Sequence, residues 1–316
     1  YLLECNIPER QCQTICFWAA SSLPIFLSPT VYYSIIITHN LPDPSYNDLM
    51  GLSFVERWSF MSVFRAFFIA ISMYSRIPVP QFAWKDKDMR YTICFFPFIG
   101  VILGLFQYLL NCLLLKDILC DWEFVLLSML LPLLITGGIH LDGFMDTADA
   151  LHSYAPSERK LAIMKDPHIG AFSVISLLAP ALLWILSLME LSAHMTASIS
   201  LLFSAVYILS RILSGLALVC FPSAKKDGLL FTFASASHKK NVRIILVLYA
   251  VVIFLLMLLT DPVAGGLLLL FAVLFTVFYY RMSMRQLGGI TGDTEGWFLC
   301  ITELFMFMIL ALYMRF

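Results

Sequence analysis

Long apolar runs recur along this chain at about 95–115, 122–139, 171–190, 197–221, 243–260, 263–280 and 297–314. Each is close to the ~20 residues that a helix needs to cross a bilayer. None shows the alternation of a barrel strand, and backbone groups in lipid must be hydrogen-bonded within their own segment. A shorter stretch, Phe60 to Ser75, is interrupted by Arg65 and reads as an amphipathic or re-entrant helix. The pattern predicts an all-α protein: a polytopic integral membrane helix bundle with about seven or eight membrane helices.

Charge then orients the bundle. Arg76, Lys85, Lys87 and Arg90 precede the first full span, and Arg159, Lys160 and Lys165 follow the second. Lys225, Lys226, Lys239, Lys240 and Arg243 follow the fourth, and Arg281 and Arg285 the sixth. The intervening loops at 116–121, 191–196 and 261–262 hold one basic residue, Lys116. By the positive-inside rule the basic loops are cytoplasmic, so seven full spans would leave the carboxyl terminus outside. The expected location is the cytoplasmic (plasma) membrane, with lipid surrounding the bundle.

Composition agrees. Hydrophobic residues make up 60% and charged residues 13%, with a mean hydropathy of +0.87, whereas a soluble domain carries about 25% charged residues. A net charge of −1 and the lack of a basic arm argue against a nucleic-acid partner. The eight cysteines form no CxxC pair and sit mostly in apolar runs, so neither a disulfide framework nor a zinc site is indicated. Residues 1–60, with scattered prolines and no defensible period, read as an unassigned N-terminal extension; Met61-Ser62-Val63-Phe64 looks like a start, and the membrane domain is expected over 61–316.

The densest chemistry is Gly137-Gly138-Ile139-His140-Leu141-Asp142-Gly143-Phe144-Met145-Asp146-Thr147-Ala148-Asp149, placed at the end of an apolar run. At about 100° per residue, Asp142, Asp146 and Asp149 fall within roughly a 60° arc of one helix face. Like charges so close repel unless a cation sits among them. Hard oxygen ligands suit Mg²⁺, which is usually held by a few carboxylates plus substrate phosphates. The bland alternative is a solvated acidic helix start; a position against the membrane, where charge is costly, favours the metal reading.

Other residues join this face or stay open. The turn Gly288-Gly289-Ile290-Thr291-Gly292-Asp293-Thr294 shares the cytoplasmic side, can offer backbone N–H groups to a phosphate, and adds Asp293 as a carboxylate. Lys165 and Arg159 can meet phosphates and Asp166 can add a ligand, or all three belong to a solvated loop. His140 is either a hydrogen-bonded structural group or a base or ligand. Arg211, inside an apolar span, binds a phosphate or pairs with Glu190 or Glu303.

With these residues in view, the chain resembles the adenosylcobinamide-GDP ribazoletransferase (cobalamin synthase) family from about Met61 to its end. The resemblance rests on Ser72-Met73-Tyr74-Ser75-Arg76-Ile77-Pro78-Val79-Pro80, on Phe96-Pro97-Phe98-Ile99-Gly100 and on the Gly137–Asp149 signature. It continues in Ile163-Met164-Lys165-Asp166 with Gly170, in Ser210-Arg211 and in Leu287–Thr294, while Ala150 stands where many members have Gly.

The resemblance implies a Mg²⁺-dependent transferase joining adenosylcobinamide-GDP to α-ribazole, or to α-ribazole 5′-phosphate, with release of GMP. On that reading Asp142, Asp146 and Asp149 hold Mg²⁺. Asp142, Asp146 or Asp293 takes the acceptor's 5′-hydroxyl proton. His140, Lys165, Asp166, Arg211, Gly288, Gly289, Thr291 and Gly292 contact substrate, Lys165 and Arg211 facing the departing GMP. A homo-oligomer or corrinoid-pathway partners stay open. The rivals are weaker. A CDP-alcohol phosphotransferase needs Ala-Arg after its Asp-Gly, where this chain has Phe144-Met145. A polytopic prenyltransferase needs a second aspartate-rich motif, and a cation transporter needs mid-membrane acids with inverted-repeat symmetry.

Overall fold

The computed structural model describes residues 54–80, 86–225, 232–233, 235 and 237–315. Almost all of the expected extension (1–53), together with Lys85 and Lys226, lies outside them. The elements are α1 (Phe54–Tyr74), the single turn α2 (Asp86–Met89), a 3₁₀ turn (Thr92–Phe95), α3 (Phe96–Leu115), α4 (Asp121–Thr136) and α5 (Ile139–His152). They continue with α6 (Ser157–Ile163), α7 (Ala171–Ala193), α8 (Ala197–Cys220), α9 (Lys239–Thr260), α10 (Pro262–Leu287) and α11 (Gly292–Arg315). The protein is an all-helical, multi-pass membrane bundle.

Among the described residues six segments are long and apolar enough to span: Thr92–Leu115, α7, α8, α9, α10 and α11. The stretch expected to span at 122–139 differs. Its helix, α4, ends at Thr136, and it counts as a seventh span only together with α5, from which it is bent by 93°. The cause is local: Gly137 and Gly138 take φ of 69° and 80°, a region that L side chains avoid and that terminates an α-helix. The apolar stretch at 60–75 appears as a shorter apolar helix, Ser62–Tyr74, within α1.

The central helix is α8, packed by α3, α9, α10 and α11, with Phe203, Tyr207 and Arg211 among its fully buried side chains. Polar side chains inside apolar helices join neighbours. Gln107 Nε2 donates to Asn111 Oδ1 (3.0 Å) and Ser128 Oγ (2.9 Å), and Asn111 Nδ2 donates to the Ser200 carbonyl (3.1 Å). Interhelical hydrogen bonds of this kind hold helices together where lipid is as apolar as the side chains. The outer faces, such as Val174, Ile175, Leu178, Leu182 and Leu186 on α7, are apolar and exposed, as a lipid contact requires.

Candidate active site

The break at Gly137-Gly138 turns the aspartate helix α5 out of line with α4, and the first bond of the new helix runs from Asp142 N–H to the Gly138 carbonyl (2.9 Å). From there α5 packs against α7 and the start of α11. Two glycines set the closeness of the second contact. A β-carbon on Gly143 would stand 2.9 Å from both Cα and the carbonyl oxygen of Asp293, and one on Gly296 would stand 2.7 Å from the carbonyl oxygen of His140. Backbone therefore meets backbone, and Asp293 is brought to the aspartate face of α5 from 147 positions further along the chain than Asp146.

The glycine turn is held from both sides. Thr291 caps α11: its Oγ1 accepts from Thr294 N–H (3.1 Å), and Thr294 Oγ1 accepts from Thr291 N–H (2.9 Å), a reciprocal cap of the capping-box type. Thr294 Oγ1 also lies 3.0 Å from the Tyr279 hydroxyl. Thr291 is buried by this role, while Gly292, at the helix start, is exposed. The positive end of the α11 dipole thus opens beside the carboxylates and favours an anion there.

The electrostatics follow. The charges of Asp142, Asp293 and Asp149 all bear unfavourably on Asp146, and the opposing charge comes from Lys225. Lys225 and Asp142 bear in the same opposed way on Asp293. Asp142 is exposed, and Asp146, Asp149 and Asp293 are half-buried. The carboxylate of Asp149 packs into the space that a β-carbon on Gly170 would occupy, so it lies toward the start of α7. Among the described residues no three His, Cys, Asp or Glu side chains form a ligand set for one ion; the trio shares a face without closing into a three-ligand cage. That donor set still fits Mg²⁺, which takes one or two carboxylates, keeps several waters and completes its shell with substrate phosphates. It does not resemble the enclosing all-protein cage of a structural site.

The remaining expected residues divide. Asp166 Oδ1 accepts from the His168 N–H (3.0 Å) and sits 2.6 Å from its ring Nδ1, and these bonds hold the Asp166 carboxyl below its usual range. Asp166 therefore shapes its own loop, in the manner of an Asx-turn. Lys165 is exposed in that loop, next to Met164, which is buried with Ala150 and Leu287 and ties the loop to the end of α5. Lys160, beside Arg159, is buried and donates to Gln286 Oε1.

Of the two carboxylates expected as its ion-pair partner, Arg211 takes Glu303. It ion-pairs with Glu303 and donates to Ser210 Oγ (2.9 Å) and the Tyr207 carbonyl (3.1 Å), with both charges buried. Glu190 instead faces His194 at 3.5 Å. Arg211 and His140 line a cavity of about 110 Å³ with Leu141, Phe144 and Trp184. On α5, His140, Leu141 and Phe144 centre about 160° away from Asp142, Asp146 and Asp149. Arg211 and the His140 ring thus lie across α5 from the carboxylates.

Two residues were not singled out by the sequence. Lys225 was only one more basic loop residue, with nothing in the pattern to aim it at an acid 68 positions later. The Arg76 side chain packs into the space beside Gly137, and the Arg76 backbone N–H donates to the Ile135 carbonyl (2.8 Å), bracing the α4–α5 break; its place in a motif-like segment was the available signal.

The chain matches the family described as Cobalamin-5-phosphate synthase over residues 66–311. It is 40% identical over 248 residues to the adenosylcobinamide-GDP ribazoletransferase of Lachnoclostridium phytofermentans, covering 77% of this chain and 92% of the relative. Proteins of the same name from Clostridium perfringens (30% identical; 79% and 98% covered) and Desulfitobacterium hafniense (33%; 77% and 95%) are also similar. No solved structure matches. The chain belongs to the cobalamin-5-phosphate synthase family and is a membrane transferase of cobalamin biosynthesis.

Proposed function

We propose that this enzyme joins adenosylcobinamide-GDP to α-ribazole or α-ribazole 5′-phosphate and releases GMP, with Mg²⁺ as its cofactor. The relatives' shared name supplies the substrates. The observation that carries the chemistry is the close backbone approach of Gly143 on α5 to Asp293 on α11, which puts Asp293 within electrostatic reach of Asp142 and Asp146.

Asp142 and Asp146 would hold the ion, with Asp149 and Asp293 available to its waters. When bound, Mg²⁺ neutralises charge on the diphosphate and makes its phosphorus more electrophilic. A ribose hydroxyl of the acceptor attacks the phosphorus on the cobinamide side, a new P–O ester bond forms, and the bond to the bridging oxygen of GMP breaks. Asp293 takes the hydroxyl proton as general base. Attack by the 5′-hydroxyl can serve only the free nucleoside, because α-ribazole 5′-phosphate has that oxygen esterified; one mechanism for both acceptors needs another ribose hydroxyl. The α11 N-terminus faces the transferred phosphate, and transfers of this kind depend mainly on positioning and charge neutralisation.

The alternation of basic loops supports a site that opens to the cytoplasmic side of the plasma membrane. The test is GMP release by membranes containing the protein. Release should require adenosylcobinamide-GDP, α-ribazole and Mg²⁺ together; release independent of α-ribazole would remove the proposal.

A further inference from the structure

The segment Pro222–Lys225 follows the central helix α8 and pairs with the glycine turn. Ser223 and Ile290 form a parallel bridge. Ile290 N–H donates to the Pro222 carbonyl and Ala224 N–H to the Ile290 carbonyl, both at 2.9 Å. The Ser223 hydroxyl then donates to the Lys225 carbonyl (2.7 Å), fixing the backbone at the lysine itself. Gly289 makes the fit possible, since a β-carbon there would stand 2.6 Å from the Pro222 carbonyl oxygen and 2.7 Å from Ser223 C. Ala224 packs on the cluster of Ala150, Met164 and Leu287, which joins the ends of α5 and α10. The backbone pairing with the glycine turn and the packing of Ala224 therefore set the place of Lys225 beside the start of α11. From there its charge reaches both Asp146 and Asp293.

A diphosphate entering this site brings negative charge on each phosphate to a face that already holds four carboxylates. A divalent ion offsets only part of that total, so a further cation is needed. Arg211 is committed to Glu303 across α5, whereas Lys225 stands on the carboxylate side. We propose that Lys225 binds the guanosine-side phosphate of the donor's diphosphate, facing the aspartates, and carries its charge as GMP departs. This rests on the transferase reading above and deepens it by assigning the cation on the leaving-group side.

The test compares Lys225→Gln and Lys225→Arg with the unsubstituted protein in membranes. A charge-assisted contact to phosphate predicts that Lys225→Gln raises the donor KM about ten- to a hundredfold and weakens inhibition by GDP in parallel. The acceptor KM should stay within about twofold, and Lys225→Arg, which keeps the charge, should remain within about fivefold of the unsubstituted protein. Equilibrium binding of GDP with divalent ions chelated should weaken in Lys225→Gln as well, which separates the lysine from the metal. An unchanged donor KM and GDP affinity, a shift in acceptor KM instead, or equal impairment by Arg and Gln would each overturn the assignment while leaving the transferase reading intact. Absence of GMP release by the unsubstituted protein would remove that reading, and this inference with it.

Discussion

Gly143 lies directly against the backbone of Asp293: a β-carbon on it would stand only 2.9 Å from the Asp293 Cα and carbonyl oxygen. This contact between α5 and α11 brings a fourth carboxylate to a helix that already carries three. Hydrogen alone fits between the two backbones, so the spacing of the acidic groups is set by a missing side chain.

Gly143→Ala should therefore separate the two helices by a few tenths of an ångström or more. Overpacking of this kind costs about 1–3 kcal/mol, and a small displacement of catalytic groups can lower turnover about a hundredfold. Thermal unfolding in detergent and GMP release check the two effects. Turnover at the unsubstituted level would show that the close contact is not needed.

Asp146→Ala should abolish turnover, by at least about a hundredfold, and leave membrane insertion intact. Asp146 stands where Asp142, Asp149 and Asp293 all act, so removing it also relieves repulsion and should not destabilise the bundle. Activity near that of the unsubstituted protein would sink its assignment as a metal ligand.

Chelation of divalent ions should stop GMP release, and added Mg²⁺ should restore it. Ca²⁺ should restore much less, because it prefers more ligands at longer distances than two carboxylates and a diphosphate provide. Full activity in the chelator would contradict the proposed cofactor.

Arg211→Met should destabilise the protein by about 3–5 kcal/mol, since it leaves Glu303 buried without its partner. The double variant Arg211→Met/Glu303→Met should recover most of that loss. If Arg211 serves only the pair, the double variant also keeps its donor KM; a large rise there would return Arg211 to substrate binding.

The membrane class, the acidic face and, among the described residues, most of the spanning helices were legible in the chain. Each depends on local chemistry: runs of about 20 apolar residues need lipid, and carboxylates at i, i+4 and i+7 share a helix face. The glycine pair at 137 and 138 was visible too, but its consequence was not. The helix of the run expected to span at 122–139 stops at Thr136, and the aspartate helix leaves it at 93°, because both glycines take positive φ and nothing in composition reveals that.

What only the tertiary structure decided is which distant residues face the aspartates. Asp293 and Lys225 arrive by backbone packing at Gly143 and by the Ser223–Ile290 bridge, while Arg211, equally conspicuous as a charge in an apolar run, turns to Glu303 across α5. The physical reason is range. Periodicity governs neighbours within a helix turn or two, whereas an ion pair or a backbone contact between helices depends on how the helices pack, and one glycine is enough to change it.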